Sequence, residues 1–254
     1  MTSGSKPPSL GQRLRQADRR TVIISAVGAG LLVYLVAAHR IAEIDVIYFC
    51  VLIPSIIIHE ISHGVVALAF GDATAKRMGR LTLNPLKHID PVGTLLVPAV
   101  LSLSGFGAYG WAKPVPVNPN QLRHPRDEIV IVSLVGPATN FALAGIMGLI
   151  FVAITPAPIR VEVGYGYLPP SLIAQIVFVA GLANIILGVF NLIPCPPLDG
   201  AAVLERFIPA RLLPEYYRLQ PALMFLPFIL ILVFHSEWSS LIGHVINWWS
   251  GLLA

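Results

Sequence analysis

The feature that most restricts this chain is a series of apolar runs as long as a bilayer's hydrocarbon core is thick. Asp45–Phe70, Ile129–Ile154 and Ser171–Ile193 are almost free of charge. A helix of about 20 such residues crosses the core, and inside it every backbone donor and acceptor must be satisfied within the protein. Composition agrees, with 56% hydrophobic and 12% charged residues, the latter about half the share of a soluble domain. Mean hydropathy is +0.76. The 254 residues leave no room for a separate soluble domain. The expected fold is an all-α polytopic membrane protein with five to six transmembrane helices, forming a single membrane-embedded domain over residues 1–254.

Charge placement orients these runs. Residues 1–20 carry Lys6, Arg13, Arg15, Arg19 and Arg20 against Asp18, so the positive-inside rule makes this tail cytoplasmic. Thr21–Ala38 then leads outward and Asp45–Phe70 returns. Basic stretches recur at residues 71–90, around Lys113, Arg123 and Arg126, and at Arg206, Arg211 and Arg218. If Val92–Phe106 crossed fully, the second stretch would face outward. A run this short, interrupted by Pro98, is therefore expected to be re-entrant. Thr155–Pro170 is expected as an external loop. Two further runs, Ala222–Phe234 and Ser240–Leu253, finish the chain, and the last is read as a span or an interfacial helix. The net charge of +4 is accounted for by these loops, so no nucleic-acid partner is expected; the partner is the lipid bilayer. No cleavable signal is expected after the basic tail. Cys50 and Cys195 lie in or beside apolar runs and are expected as small buried hydrophobes without a disulfide.

Within the second run stands His59-Glu60-Ile61-Ser62-His63. On a helix, residues four apart share a face, so both imidazoles can reach one Zn²⁺. Glu60 is turned roughly 100° around the axis, near the metal without ligating it, where it can accept a proton from an activated water. An unpaired carboxylate at such a depth costs at least about 2.5 kcal/mol, which a metal and a wet cavity would offset. One zinc per chain is expected.

A catalytic zinc usually takes three protein ligands, and Asp199 is the best acidic candidate for the third. Locally, Asp199-Gly200 reads equally well as a helix-ending turn, where Gly200 eases a tight bend. Depth favours the ligand. His59 lies about eleven residues, roughly 16 Å, from the inner end of an inbound helix, and Asp199 ends another inbound helix provided Val92–Phe106 is re-entrant.

With Asn191, Pro194, Leu198, Asp199 and Gly200 in a later span, the pattern resembles the site-2 protease family of intramembrane zinc metalloproteases. Gly79–Pro85, Asp90–Thr94, Gly110–Pro119 and Gly136–Asn140 are similar too, so the likeness covers about Val51 to Gly200 and places a catalytic core at about 45–205. The resemblance implies that His59, His63 and Asp199 ligate zinc, that Glu60 is the general base, and that transmembrane-helix proteins are the substrates. It makes Asn191 a candidate for holding the substrate backbone or oxyanion; Asn140 either shares that part or bridges helices. It also implies membrane-associated β-structure within Gly79–Pro119, able to hold an unwound substrate by strand addition. The chain looks like a compact, prokaryotic-type form without a PDZ-like insertion. The competing reading is a membrane zinc-binding scaffold or transporter. Oligomeric state is not legible.

Overall fold

A computed structural model of the chain describes residues 43–96, 112–164, 169–224 and 226–254, with residues 23, 26, 27 and 30. Two compact units are distinguished, residues 1–42 with 89–113 and residues 43–88 with 114–254. In the first, Asp90-Pro91-Val92-Gly93-Thr94 starts a helical turn, Pro91–Leu96. Asp90 Oδ1 accepts from the Val92 and Gly93 N–H groups, and Thr94 Oγ1 accepts from Asp90 N–H. These bonds satisfy donors that the first turn of a helix leaves open. The remainder of Val92–Phe106, with the question of its re-entrance, and the run Thr21–Ala38 lie outside the described residues.

The second unit is built on three helices long and apolar enough to cross a membrane, α1 (Glu43–Ala69), α3 (Pro125–Ile154) and α5 (Leu172–Asn191). Between them come α2 (Thr74–Arg77) and α4 (Ala157–Gly164). Helix α3 starts four residues before the apolar run. Pro125 fits the first helical position, Asp127 and Glu128 complement the positive helix end, and Glu128 Oε2 accepts from His124 N–H at 3.0 Å. Pro194 and the prolines after it stop α5 on time. The outward faces of these helices stay apolar at Ile53, Val65, Ile146, Leu149 and Ile173, as helices that contact lipid must. Cys50 is exposed on α1 and Cys195 half-buried, both as free thiols, so Cys50 is not the buried hydrophobe expected; its face of α1 points away from the bundle.

Cross-helix contacts fix the course of the chain. His63 meets Val132 and His59 meets Asn140, so α1 and α3 are antiparallel. Asn140 meets Asn184 and Phe151 meets Phe178, so α5 runs with α1. The connection from residue 70 to residue 124 therefore begins and ends at the same end of the bundle.

Beyond α5 come α6 (Gly200–Phe207), α7 (Leu213–Leu223), α8 (Leu226–Val233) and α9 (His235–Leu253). The apolar run expected at Ala222–Phe234 is divided between α7 and α8, with Pro221 and Pro227 flanking the break. Eight residues of α8 rise only about 12 Å. Thr155–Pro170, expected as a loop, contains α4. Among the described residues there is no β-strand; residues 114–118 are non-helical.

Helix α9 docks onto the bundle. Trp249 and Leu253 are buried with Phe151, Phe178 and Leu182 in one core, and Trp249 Nε1 donates to Phe178 O at 3.2 Å. Glycines admit the indole: a Cβ on Gly181 would stand 3.1 Å from Trp249 Cε2, and one on Gly148 2.9 Å from Cη2. Small residues play this part wherever helices approach closely in lipid. Trp248, by contrast, faces outward. Trp249→Ala is expected to cost about 3–5 kcal/mol of stability, read as a lowered melting temperature in detergent.

At the end of α1, Asp72 is buried and ties the bend to residues 114–124. It accepts from Thr74 N–H at 2.8 Å and Asn118 N–H at 2.6 Å. Burial alone would raise its carboxyl, but bonds from Thr74 and Asn118 and the charge of Arg77 outweigh it and hold it below the usual carboxylate range. A depressed folded value contributes stability above the unfolded value of about 3.9 that is lost as pH falls through the folded one. Asp72→Asn should therefore melt earlier at neutral pH, by about 1.5–3 kcal/mol, and show less further loss below about pH 4 than the parent.

A candidate metal centre between three helices

The last two turns but one of α1 carry His59 and His63, and their side chains point at α3. Both are buried. The rings stand nearly perpendicular, with centroids 4.6 Å apart, and each is held by its Nδ1. His59 Nδ1 pairs with Asn140 Oδ1 at 2.5 Å and His63 Nδ1 with Val132 O at 2.6 Å. Oxygen acceptors at both Nδ1 atoms keep the protons there, so the two Nε2 lone pairs face inward.

Asp199 meets them from the far side. After α5 the chain folds back through Ile193–Leu198, with a cis bond between Pro196 and Pro197. Gly200 lies so close to this turn that a Cβ would stand 2.5 Å from Ile193 O. Close approach, not an unusual φ, is thus why glycine follows Asp199. The carboxylate then lies with Oδ2 3.1 Å from His59 Nε2 and Oδ1 3.4 Å from His63 Nε2, while the two Nε2 atoms are 3.0 Å apart.

These spacings fit zinc. Ligand atoms about 2 Å from a tetrahedral ion stand about 3.3 Å from each other, and the observed edges bracket that value. Asp199 Oδ2 is also buried without a protein hydrogen-bond donor in good geometry, as a metal-binding oxygen would be. Among the described residues, this is the one cluster of three such ligands within reach of a common ion.

Glu60 leaves α1 beside the histidines and reaches the non-helical segment after residue 113, where Oε2 accepts from Val115 N–H at 2.6 Å. Arg80 grips the same segment, donating to Pro114 O at 3.1 Å. Asn140 is fully buried, its Oδ1 on His59 and its Nδ2 on Asn184 Oδ1 at 2.8 Å. Its amide is thus engaged in bridging helices and orienting the His59 ring. Asn191 returns its Nδ2 to Leu187 O within α5 at 3.0 Å, and no hydrogen bond among the described residues joins it to the cluster.

Gly136, to which the sequence assigned no role beyond its place in the Gly136–Asn140 stretch, lies against the site. The imidazoles pack on it so tightly that a Cβ would stand 2.5 Å from His59 Cε1. Its place in Gly136-Pro137 of an apolar helix was the available signal. Gly145, on the same helix, has open space in the same test. Gly136→Ala is therefore expected to weaken zinc binding at least about tenfold while Gly145→Ala does not, and Asp199→Ala to purify with little metal, all by metal analysis and chelator competition.

The sequence model of peptidase family M50 matches residues 157–234, the part that holds Asp199. The chain is 40% identical over 158 residues to YwhC of Bacillus subtilis (strain 168), covering 62% of this chain and 67% of that protein. It is 30% identical over 203 residues to Rip2 of Mycolicibacterium smegmatis, covering 77% and 72%. It is 34% identical over 197 residues to Rip2 of Mycobacterium tuberculosis (strain H37Rv), covering 76% and 69%. All three are named as candidate zinc metalloproteases. No solved structure matches. With relatives this similar covered over two thirds of their length and a His-His-Asp cluster in place, the chain belongs to peptidase family M50, the site-2 protease family that its motifs resemble.

Proposed function

We propose that this protein is an intramembrane zinc metalloendopeptidase that cleaves transmembrane segments of membrane-anchored proteins. The observation that carries the reading is the convergence of His59, His63 and Asp199 among three membrane-length helices, with the Glu60 carboxylate one residue along from His59. Zinc held by those three side chains supplies Lewis acidity that makes water nucleophilic at neutral pH.

The chain's own residues do the rest. Glu60 takes the proton from the attacking water and returns it to the leaving amine. The Val115 N–H on Oε2 steadies the carboxylate and leaves Oε1 for the proton. His59 and His63, pinned through Nδ1, keep the ligand geometry during turnover. Because a helix conceals its carbonyls in its own hydrogen bonds, a substrate must unwind to be cut, and within the non-helical residues 114–118 beside Glu60 the N–H and carbonyl of Val117 are placed to pair with it. Asn191, at the end of α5, is assigned to the substrate backbone or oxyanion, and Asn140 to positioning His59.

The remaining topology is assigned from hydropathy and charge. The protein sits in the cell membrane, crossing it five to six times with a cytoplasmic N-terminus, Thr21–Ala38 as the first crossing and Val92–Phe106 re-entrant. The residues of the site fall within a catalytic core at about 45–205 of one membrane-embedded domain. In a scaffold or transporter the metal would need no carboxylate at the Glu60 offset. Co-expression with tagged single-span membrane proteins decides between them: Glu60→Gln should abolish cleavage, a loss of at least about a hundredfold, with zinc retained. Undiminished cleavage by Glu60→Gln would refute the mechanism.

A further inference from the structure

Two polar side chains inside the apolar bundle have no part in the chemistry above, Ser55 on α1 and Asn184 on α5. They are 5% and 2% exposed. A polar group at such depth is costly unless partnered, and both belong to one chain of hydrogen bonds that ends on His59. At its far end Val51 O accepts from Ser55 Oγ at 2.8 Å. Ser55 Oγ has then given its only proton and accepts from Asn184 Nδ2 at 2.9 Å. The second Nδ2 proton of Asn184 goes to Ala180 O at 2.8 Å. Asn184 Oδ1 accepts from Asn140 Nδ2, and Asn140 Oδ1 faces His59 Nδ1.

The direction of this chain is forced. Backbone carbonyls only accept, so Val51 and Ala180 set the polarity at one end. A flipped Asn184 would place Oδ1 against Ala180 O, acceptor on acceptor, and its NH₂ against that of Asn140. Asn184 must therefore offer Oδ1 to Asn140, which in turn must offer its NH₂ and turn Oδ1 toward His59. An acceptor there requires the His59 proton on Nδ1 and leaves the Nε2 lone pair facing His63 and Asp199.

We infer that Ser55 and Asn184 are positioning residues that set the tautomer of His59 through Asn140 and so make its Nε2 a zinc ligand. The inference rests on the metal-centre reading above, yet it is tested without substrate. The full-length protein in detergent, ¹⁵N-labelled at histidine, is compared with Asn184→Leu, Ser55→Ala and Ser55→Thr. Zinc affinity is measured by chelator competition, and the ring nitrogens of His59 by NMR on metal-free protein.

Asn184→Leu should weaken zinc binding about 10–100-fold and move His59 from a single Nδ1–H form to mixed tautomers. Ser55→Ala should shift both readouts the same way, and Ser55→Thr, whose hydroxyl can make the same two bonds, should restore them. Unchanged zinc affinity and an unchanged His59 spectrum in Asn184→Leu and Ser55→Ala overturn the inference. Changes in Asn184→Leu alone overturn the part given to Ser55. Should Asn184→Leu fail to fold, the alanine–threonine pair at Ser55 decides, because Ser55→Ala removes only the side-chain bonds to Val51 O and Asn184 and leaves the backbone–backbone bonds of α1 in place; unchanged readouts in Ser55→Ala then overturn the inference. A failure of proteolysis in the Glu60 experiment leaves these measurements intact, and the reverse holds as well.

Discussion

Two imidazoles and a carboxylate held between apolar helices are costly unless each polar atom has a partner, and the bundle is arranged around that requirement. Val132 O takes one imidazole, Asn140 the other, and Asn140 is itself secured by Asn184. The two Nε2 atoms and the Asp199 carboxylate, whose Oδ2 is buried with no donor from the protein, converge on one point.

Close approach of the helices makes this convergence possible, and glycine makes the approach possible. Gly136 receives the imidazoles, Gly200 lets the Asp199 turn lie on the Ile193 carbonyl, and Gly148 with Gly181 admits Trp249. Between apolar helices in lipid there is little hydrophobic drive to associate, so tight packing and buried hydrogen bonds carry the assembly. The polar chain from Ser55 to His59 links α1, α3 and α5 and serves packing and the site together.

Glu60 stands apart from this arrangement. It lies on α1 with His59 and His63, yet its partner is the Val115 N–H of a non-helical segment that arrives at the same end of the bundle as the α1 C-terminus. Arg80 holds the neighbouring carbonyl. The Glu60 carboxylate and the backbone of residues 114–118 are therefore joined directly, so the position of that segment and the position of the carboxylate are set together.

The solvent and the nature of the chemistry are legible in the amino-acid order alone. Long uncharged runs dictate helices because lipid offers backbone groups no partners, and the four-residue offset of His59 and His63 is a local property of a helix. Asp199 was legible from depth combined with charge asymmetry and from the likeness of its motif to a known family, while its own neighbourhood reads equally as a turn. The partners Val132 O, Asn184, Ser55 and the Val115 N–H were not legible. A backbone carbonyl has no residue-specific signature, and which polar side chain faces which helix depends on rotation about helix axes. The breaks at Pro221 and Pro227 were visible, but hydropathy averaged over them. The docking of α9 through Trp249 and the turn of the Asn140 oxygen toward His59 come from the packed helices, because both depend on interhelical distances that no sequence period carries.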